Sequence, residues 1–490
     1  MSDFDALMNF QSTTEALSSI AERLGWDQET VMPRGATEQR AEEMAAIESV
    51  LHERRTDPRI GEWLDRAEPE DEEDSRMLEL IGRDYRRQTR IPARLATELA
   101  RITSLGQGIW AEARADEDVS AFLPTLSEIL MLKREEAAAL ADGGDAYDAL
   151  LEDYEPGSTA AQIASIFSAM RPRLVQLRDD VMGADHQPPQ LDGQFPPETQ
   201  MRLARQCATA FGYDWSRGRM DLAVHPFSSG RWQDSRVTTR VVPSDPFNCL
   251  YSTIHEVGHS NYELGIDSDH AFTVLGRGVS VGVHESQSRI AENQIGRSRA
   301  FTEWLFHRMS DAFDGLNIDD SDSFYASVNR VAPGYIRTES DEVQYNLHIM
   351  MRFDLERDLI TGRLDAEDLE EAWNARFLRD FGMAVDRPSN GVLQDVHWSV
   401  GMFGYFPTYA LGNVYAGCLN RAMRAALPDL DEALRRGDAT PAVEWLRENI
   451  HRHGSLIPAP TLIEEASNGV VTPEPLLSYL EEKFSDIYSL

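Results

Sequence analysis

Apolar residues recur three and four positions apart through almost the whole chain, as in Leu95 to Arg114 and Pro124 to Ala141. That spacing lines one face of a helix and cannot line one face of a strand. The pattern gives way once, between about Gly218 and Val242. There Met220-Asp221-Leu222-Ala223-Val224 and Arg236-Val237-Thr238-Thr239-Arg240-Val241-Val242 alternate, the second rich in β-branched residues, which predicts a small sheet of two or three strands. Met32-Pro33-Arg34-Gly35, Asp142-Gly143-Gly144-Asp145 and the proline-rich stretch from Gln187 to Pro197 have turn or loop composition, and none is long or polar enough to be a flexible tether. No repeat of solenoid period is present. The fold class is therefore mainly α: a helical scaffold part over 1–210, a small β element over 211–245, and a second helical part over 246–490.

Charge narrows the partners. Among 490 residues, 83 acidic side chains stand against 47 basic ones, a net charge of −36. Such a field repels phosphate backbones and anionic membrane surfaces, so neither a nucleic acid nor a membrane is expected as a partner. Only Lys133 and Lys483 are lysines; every other basic residue is arginine. Codon bias is one cause; the other is life at high salt, where carboxylates hold water and ions while repulsion is screened. The three cysteines, Cys207, Cys249 and Cys418, form neither a disulfide framework nor a CxxC metal site, and a reducing cytoplasm suits them. Met1-Ser2-Asp3-Phe4-Asp5 carries acid where a signal peptide needs positive charge, and no apolar run approaches the roughly 18 residues of a membrane span. The acidic run Glu68 to Asp74 reads as a solvated helix junction.

The segment that carries chemistry is Ser252-Thr253-Ile254-His255-Glu256-Val257-Gly258-His259. On a helix, His255 and His259 share a face, so both imidazoles can bind one divalent metal. Glu256 is turned roughly 100° from His255, which suits a base acting on water beside the metal rather than a ligand. A third protein ligand is needed, and Val283-His284-Glu285-Ser286-Gln287-Ser288-Arg289-Ile290-Ala291-Glu292 begins a second helix after a glycine-punctuated loop. Glu285 is the first choice, with Glu292 and His284 as alternatives. Two histidines and one carboxylate leave a position open, as in catalytic rather than structural zinc sites.

A tetrahedral oxyanion needs a second electrophile. Tyr405 and Tyr409, in Gly401-Met402-Phe403-Gly404-Tyr405-Phe406-Pro407-Thr408-Tyr409, are candidates, and each is equally readable as a packing residue. His397 is divided between a hydrogen bond to substrate and a buried structural role. Trp26 and Trp398 read as core aromatics and His348 as a satisfied buried histidine. His52, His186, His307, His451 and His453 read as surface or capping residues, and His270 as solvent-exposed.

The chain resembles the carboxypeptidase Taq family of metallocarboxypeptidases, through ordered motifs spread over most of its length. They are Trp26-Asp27-Gln28-Glu29-Thr30, His225-Pro226-Phe227, Asp234-Ser235-Arg236-Val237-Thr238, the His255 to His259 motif and His284-Glu285-Ser286-Gln287. Ile336-Arg337-Thr338-Glu339-Ser340-Asp341 and Gly391-Val392-Leu393-Gln394-Asp395-Val396-His397-Trp398 complete the series. Ser340 stands where Ala is more usual. The resemblance implies a single metallocarboxypeptidase domain over 1–490, similar to the deep-cleft, neurolysin-like helical gluzincins. It implies Glu285 as third ligand and one divalent metal, zinc first, with cobalt or manganese compatible with the same ligands. It also implies release of single C-terminal residues from peptides with a free C-terminus, with broad side-chain tolerance and poor handling of C-terminal Pro, and a homodimer. Attack by a zinc-activated water with Glu256 as general base is the mechanism that goes with it. Arg337 lies in a motif that the resemblance places near the cleft, and its planar guanidinium suits a substrate α-carboxylate. Arg236 is either a substrate contact or the partner of Asp234, on a strand expected to offer edge backbone groups to a peptide. His225 is either a cleft contact or a turn-stabilising residue. The competing functions are an oligopeptidase or dipeptidyl-carboxypeptidase on the same fold, and a catalytically silent peptide-binding protein.

Overall fold

A computed structural model describes residues 2–313 and 315–490. It is mainly helical with one three-stranded sheet, and the chain forms two compact units, each built from three segments. The first comprises Met1–Thr89, Pro188–Val328 and Cys418–Val471; the second comprises Arg90–Gln187, Asn329–Gly417 and Thr472–Leu490.

The first unit opens with helix α1 (Asp3–Thr30), started by a capping box in which the Ser2 hydroxyl accepts from the Asp5 amide and the Asp5 carboxylate accepts from the Ser2 amide. Its sheet consists of β1 (Met220–Leu222), β2 (Ser228–Arg231) and β3 (Asp234–Thr239), in the order β1-β3-β2. β1 runs parallel to β3 with Met220 opposite Val237, and β2 runs antiparallel with Ser228 opposite Val237. The alternation around Arg236 thus belongs to a strand beginning two residues earlier and ending at Thr239. The third strand, Ser228-Ser229-Gly230-Arg231, has no apolar alternation by which to find it.

Helix α2 (Pro246–Gly265) follows. Pro246 occupies a first-turn position where its missing N–H costs nothing, and the Asp245 side chain caps the Asn248 amide at 3.3 Å. Ser235, Val237 and Thr239, on one face of β3 by the strand period of two, are buried, and two of them bond α2. Ser235 Oγ accepts from Ser260 Oγ at 2.7 Å, and Thr239 Oγ1 donates to the Cys249 carbonyl at 3.0 Å. Helix α3 (Val281–Arg289), capped by Ser280, continues directly into a π-helical stretch, Ile290–Gly296.

The second unit is organised on helix α4 (Glu342–Ile360), which is buried almost all round and therefore carries apolar residues on every face. Tyr147 and Phe167 both meet Phe353 of this helix edge to face. Helix α5 (Phe406–Ala426) begins in this unit. The expected helices appear as Ala93–Ala115 and Val119–Ala141.

Trp26, Trp398 and His348 are buried as expected, though His348 Nε2 has no hydrogen-bond partner among the described residues, and the acidic run spans a loop and the first turn of the helix Glu72–Arg90, exposed from Glu68 to Glu72. Two histidines depart from expectation. His451 is 1% exposed, its Nε2 2.9 Å from Gln287 Oε1, and His270 is buried with Nδ1 3.5 Å from Glu73. Each is buried by residues distant in sequence, which local polarity does not reveal. Both lysines are also buried, at 8% and 7% exposure. Lys133 pairs with Glu136; Lys483 pairs with Glu342 at 2.5 Å and donates to Tyr479 Oη at 2.9 Å. Among the described residues no helix is long and apolar enough to cross a membrane.

Candidate active site

In the first unit, α2 and α3 meet at Gly258, where a Cβ would lie 2.6 Å from the Gln287 carbonyl oxygen and 2.7 Å from Ser288 Cα. The bare backbone lets α3 come close enough to present Glu285 to the two α2 histidines. Glu285 Oε2 stands 3.7 Å from His255 Nε2 and 3.5 Å from His259 Nε2, and one donor atom from each residue falls within 4.8 Å of the others. These separations exceed ordinary hydrogen bonds. They match three donors arranged round one ion, since ligands about 2.0–2.1 Å from a tetrahedral zinc stand roughly 3.3–3.4 Å apart.

The residues behind the donors support the same reading. His255 Nδ1 lies 2.9 Å from Glu292 Oε2, and His259 Nδ1 lies 2.6 Å from His284 Nδ1. Glu292 and His284, the alternative third ligands, therefore stand behind the histidines, on their Nδ1 side. Glu285, Arg289 and Glu292 follow at i, i+4 and i+7, one stripe along α3 and its π extension. Arg289 Nε donates to Glu285 Oε1 at 2.7 Å and its Nη1 to Glu292 Oε2 at 3.3 Å, while Arg297 Nη2 reaches Glu292 Oε1 at 3.3 Å. Burial would raise the Glu285 carboxyl, but Arg289, His255 and His259 outweigh it and hold its pKa well below the usual range. Burial pushes His259 down to about 3, so its imidazole is neutral, as a metal ligand must be. For His255, burial lowers the pKa but Glu285 and Glu292 outweigh it and the net shift is upward.

Glu256 is buried beside His255, with the Ser228 side chain of β2 near enough to work against its upward pKa shift. Burial pushes its carboxyl up to about 7. Ser228 was not legible from sequence, because only the sheet's register brings it to α2.

His225 lies exposed in the loop between β1 and β2. Arg236 donates to both oxygens of Asp234 at 2.8 Å and lies over the Trp26 ring at 4.5 Å. One expectation is corrected: β3 is the middle strand, paired on both sides, so the strand of Arg236 has no free edge to offer a peptide. The non-sequential strand order leaves that property to the two outer strands, β1 and β2, the second of which carries Ser228.

In the second unit Arg337 is 6% exposed. Its Nε donates to Asp395 Oδ1 at 3.1 Å, its Nη1 to Tyr345 Oη at 3.2 Å, and its amide to Gln394 Oε1 at 3.1 Å. Asp395 Oδ2 also receives Arg352 Nε at 2.7 Å. Burial opposes ionisation of Asp395, but the two guanidiniums outweigh it and hold its carboxyl far below the usual range. Burial lowers Arg352 to about 10 and His397 to about 4. Two buried guanidiniums thus share one aspartate beside a neutral histidine. The Tyr409 ring lies 5.0 Å from the Arg337 guanidinium, Tyr409 Oη is 3.4 Å from His397 Nε2, and Tyr405 packs on Tyr409 at 5.2 Å and on Tyr154 at 5.0 Å. Arg337, His397, Tyr405 and Tyr409 are thereby brought into one group. Glu356, on α4, accepts from Trp398 Nε1 at 2.9 Å, Tyr147 Oη at 2.7 Å and the Gly404 amide at 3.1 Å, tying the segment with His397 and Tyr405 to that helix.

The family model described as carboxypeptidase Taq (M32) metallopeptidase matches residues 6–484. The chain is 40% identical to thermostable carboxypeptidase 1 of Thermus thermophilus, over 99% of each, and 32% identical to carboxypeptidase 1 of Bacillus subtilis, over 99% of this chain and 98% of that one. Among solved structures, the M32 carboxypeptidase from Deinococcus radiodurans superposes with a TM-score of 0.95 at 37% identity over 100% of both chains. Metallocarboxypeptidase 1 of Trypanosoma cruzi superposes with a TM-score of 0.94 at 31% identity, over 98% of this chain and 99% of that one.

Proposed function

Because the chain belongs to the carboxypeptidase Taq (M32) metallopeptidase family and is a metallocarboxypeptidase, we propose that it releases single C-terminal residues from peptides with broad side-chain tolerance, with Glu256 as general base. The observation that carries the reading is the convergence of His255, His259 and Glu285 with Glu256 one residue round the same helix. His255, His259 and Glu285 hold one divalent metal, zinc by first choice, with cobalt and manganese compatible with the same ligands. When bound, that ion supplies Lewis acidity, polarising the scissile carbonyl and acidifying the attacking water.

The remaining steps belong to the chain's own residues. Glu256, buried beside His255, takes the proton of the attacking water and delivers it to the leaving amine. Arg337 receives the substrate α-carboxylate; its partner Asp395 is already shared with Arg352, so the pair retains positive charge for an incoming anion. Tyr409, Tyr405 and His397 supply donors to the tetrahedral oxyanion. His225, exposed in the β1–β2 loop, contacts substrate, and Arg236 braces Asp234 and Trp26. The same proposal includes one catalytic domain over 1–490, the deep-cleft neurolysin-like architecture, a cytoplasmic location and a homodimer.

The test is metal analysis of the purified protein combined with mass spectrometry of peptide digests. The expected result is about one metal per chain and a ladder shortened one residue at a time from the C-terminus, absent when the peptide ends in an amide. Cleavage of amidated peptides would favour an oligopeptidase, and loss of residues in pairs a dipeptidyl-carboxypeptidase. No metal and no ladder would overturn the enzyme reading in favour of a silent peptide-binding protein.

A further inference from the structure

His259 and Glu263 stand one turn apart on α2, and His284 of α3 bridges them. His284 Nδ1 lies 2.6 Å from His259 Nδ1, and His284 Nε2 lies 2.9 Å from Glu263 Oε1. The bridge is held in orientation. The His284 ring centroid is 5.1 Å from that of Tyr262, and a Cβ on Gly278 would lie 2.8 Å from His284 Cδ2 and 3.1 Å from Tyr262 Cε1. Glu263 Oε2 is buried without a hydrogen-bond partner among the described residues, so the His284 N–H pins this carboxylate.

Two imidazole nitrogens at hydrogen-bond distance need one proton between them, and an ionised carboxylate only accepts. If His284 Nδ1 carried that proton, neutral His284 would turn a lone pair on Nε2 toward the Glu263 oxygen, and His259 would carry its own proton on Nε2, facing Glu285. If His259 Nδ1 carries it, His284 accepts at Nδ1, donates from Nε2 to Glu263, and leaves His259 Nε2 bare beside Glu285. Only the second arrangement joins a donor to an acceptor at both contacts and leaves His259 Nε2 bare for a metal.

We propose that His284 and Glu263 form a relay that holds His259 as the Nδ1–H tautomer, with Nε2 presented to the metal. His284 and Glu263 are positioning residues, and the inference rests on His255, His259 and Glu285 being the metal ligands. His255 has a different support, since Glu292 accepts directly from its Nδ1. The relay places an imidazole between the second ligand and its carboxylate, making tautomer choice at His259 depend on two residues rather than one.

The test measures Zn²⁺ affinity by competition with a chromophoric chelator for His284→Leu and His284→Asn, side chains of nearly equal shape. Asn keeps an acceptor at the position of Nδ1 and Leu does not. The expected result is a loss of about 10–100-fold for His284→Leu, the range for removing a ligand's hydrogen-bond partner, with His284→Asn within about 5-fold of the unsubstituted protein. Equal affinities for the two variants, strong or weak, overturn the relay. Should His284→Leu not fold, as judged by unfolding of the metal-free protein, Glu263→Leu against Glu263→Gln makes the same comparison, because Gln still accepts from His284. Again, equality overturns it. Failure of the unsubstituted protein to bind zinc instead removes the ligand assignment beneath it.

Discussion

A methyl group on Gly258 of α2 would sit 2.6 Å from the carbonyl oxygen of Gln287 on α3. In an open helix, Gly→Ala gains about 1 kcal/mol from propensity. Here the contact is with backbone, which cannot swing aside, and overpacking costs typically 1–3 kcal/mol. Gly258→Ala is therefore expected to lower the thermal midpoint of unfolding. It should also weaken metal binding by at least about 10-fold, because α3 carries Glu285 away from the histidines. Thermal unfolding and chelator competition check both.

Glu256→Gln removes the base but none of the three donors. Turnover of a short peptide should fall by about 10²–10⁴, the usual worth of a positioned general base, with metal content unchanged. Glu285→Gln should do the reverse in order, losing metal first and activity as a consequence. Metal analysis beside initial rates separates the two.

Arg337→Lys retains the charge and discards the fork. Binding of a free C-terminus should weaken by about 10–100-fold, expressed mainly in KM, since charged hydrogen bonds are worth roughly 1.5–3 kcal/mol each. A fall in kcat with KM unmoved would remove Arg337 from carboxylate recognition and leave it as a structural partner of Asp395.

Glu356 contributes one part of the pH dependence. Burial raises its folded carboxyl to about 7 from 4.5, against which its hydrogen bonds and Arg352 work only in part. Between those values the unfolded chain ionises while the folded chain holds its proton, so stability falls as pH rises, by roughly 3 kcal/mol across the window. Below pH 4.5 and above pH 7 this residue adds no slope. Denaturant unfolding of Glu356→Gln at a series of pH values should show that decline reduced by this residue's share, with the share of Glu256, also raised to about 7, still present, while costing about 1 kcal/mol throughout for one of its three hydrogen bonds.

A net charge of −36 repels itself, and salt screens it. If the acidic, lysine-poor composition suits high salt, unfolding curves should show greater stability in multimolar salt than at about 0.1 M. Equal or greater stability at low salt assigns the composition to codon use.

The pattern His255-Glu256-x-x-His259 was readable because helix geometry converts a spacing of four into a shared face, and Glu285 because it opens the next helix. The partners of these residues were not. Ser228 comes near Glu256 only through the order β1-β3-β2, which no strand's own residues encode. Asp395 and Arg352 gather round Arg337 across 58 and 15 positions of chain, and nothing in local spacing chooses them from so many acids and arginines. Arg289 is the exception, since its i+4 distance from Glu285 was in plain view. Burial of His451 and His270 depended on which distant segments cover them, and local polarity pointed the wrong way.

The two lysines, both buried against carboxylates, bear on how this protein meets acylating chemistry. Activated esters, anhydrides, aldehydes and cyanate react with unprotonated side-chain amines that they can reach, and the folded surface offers them none from lysine. Lys133 and Lys483 become targets only when the helices around them open. The rate at which mass spectrometry finds an acyl group on either residue is therefore a clock for local unfolding, one in each case for the turn around Glu136 and for the C-terminal helix beside Glu342, readable without engineering a reporter residue.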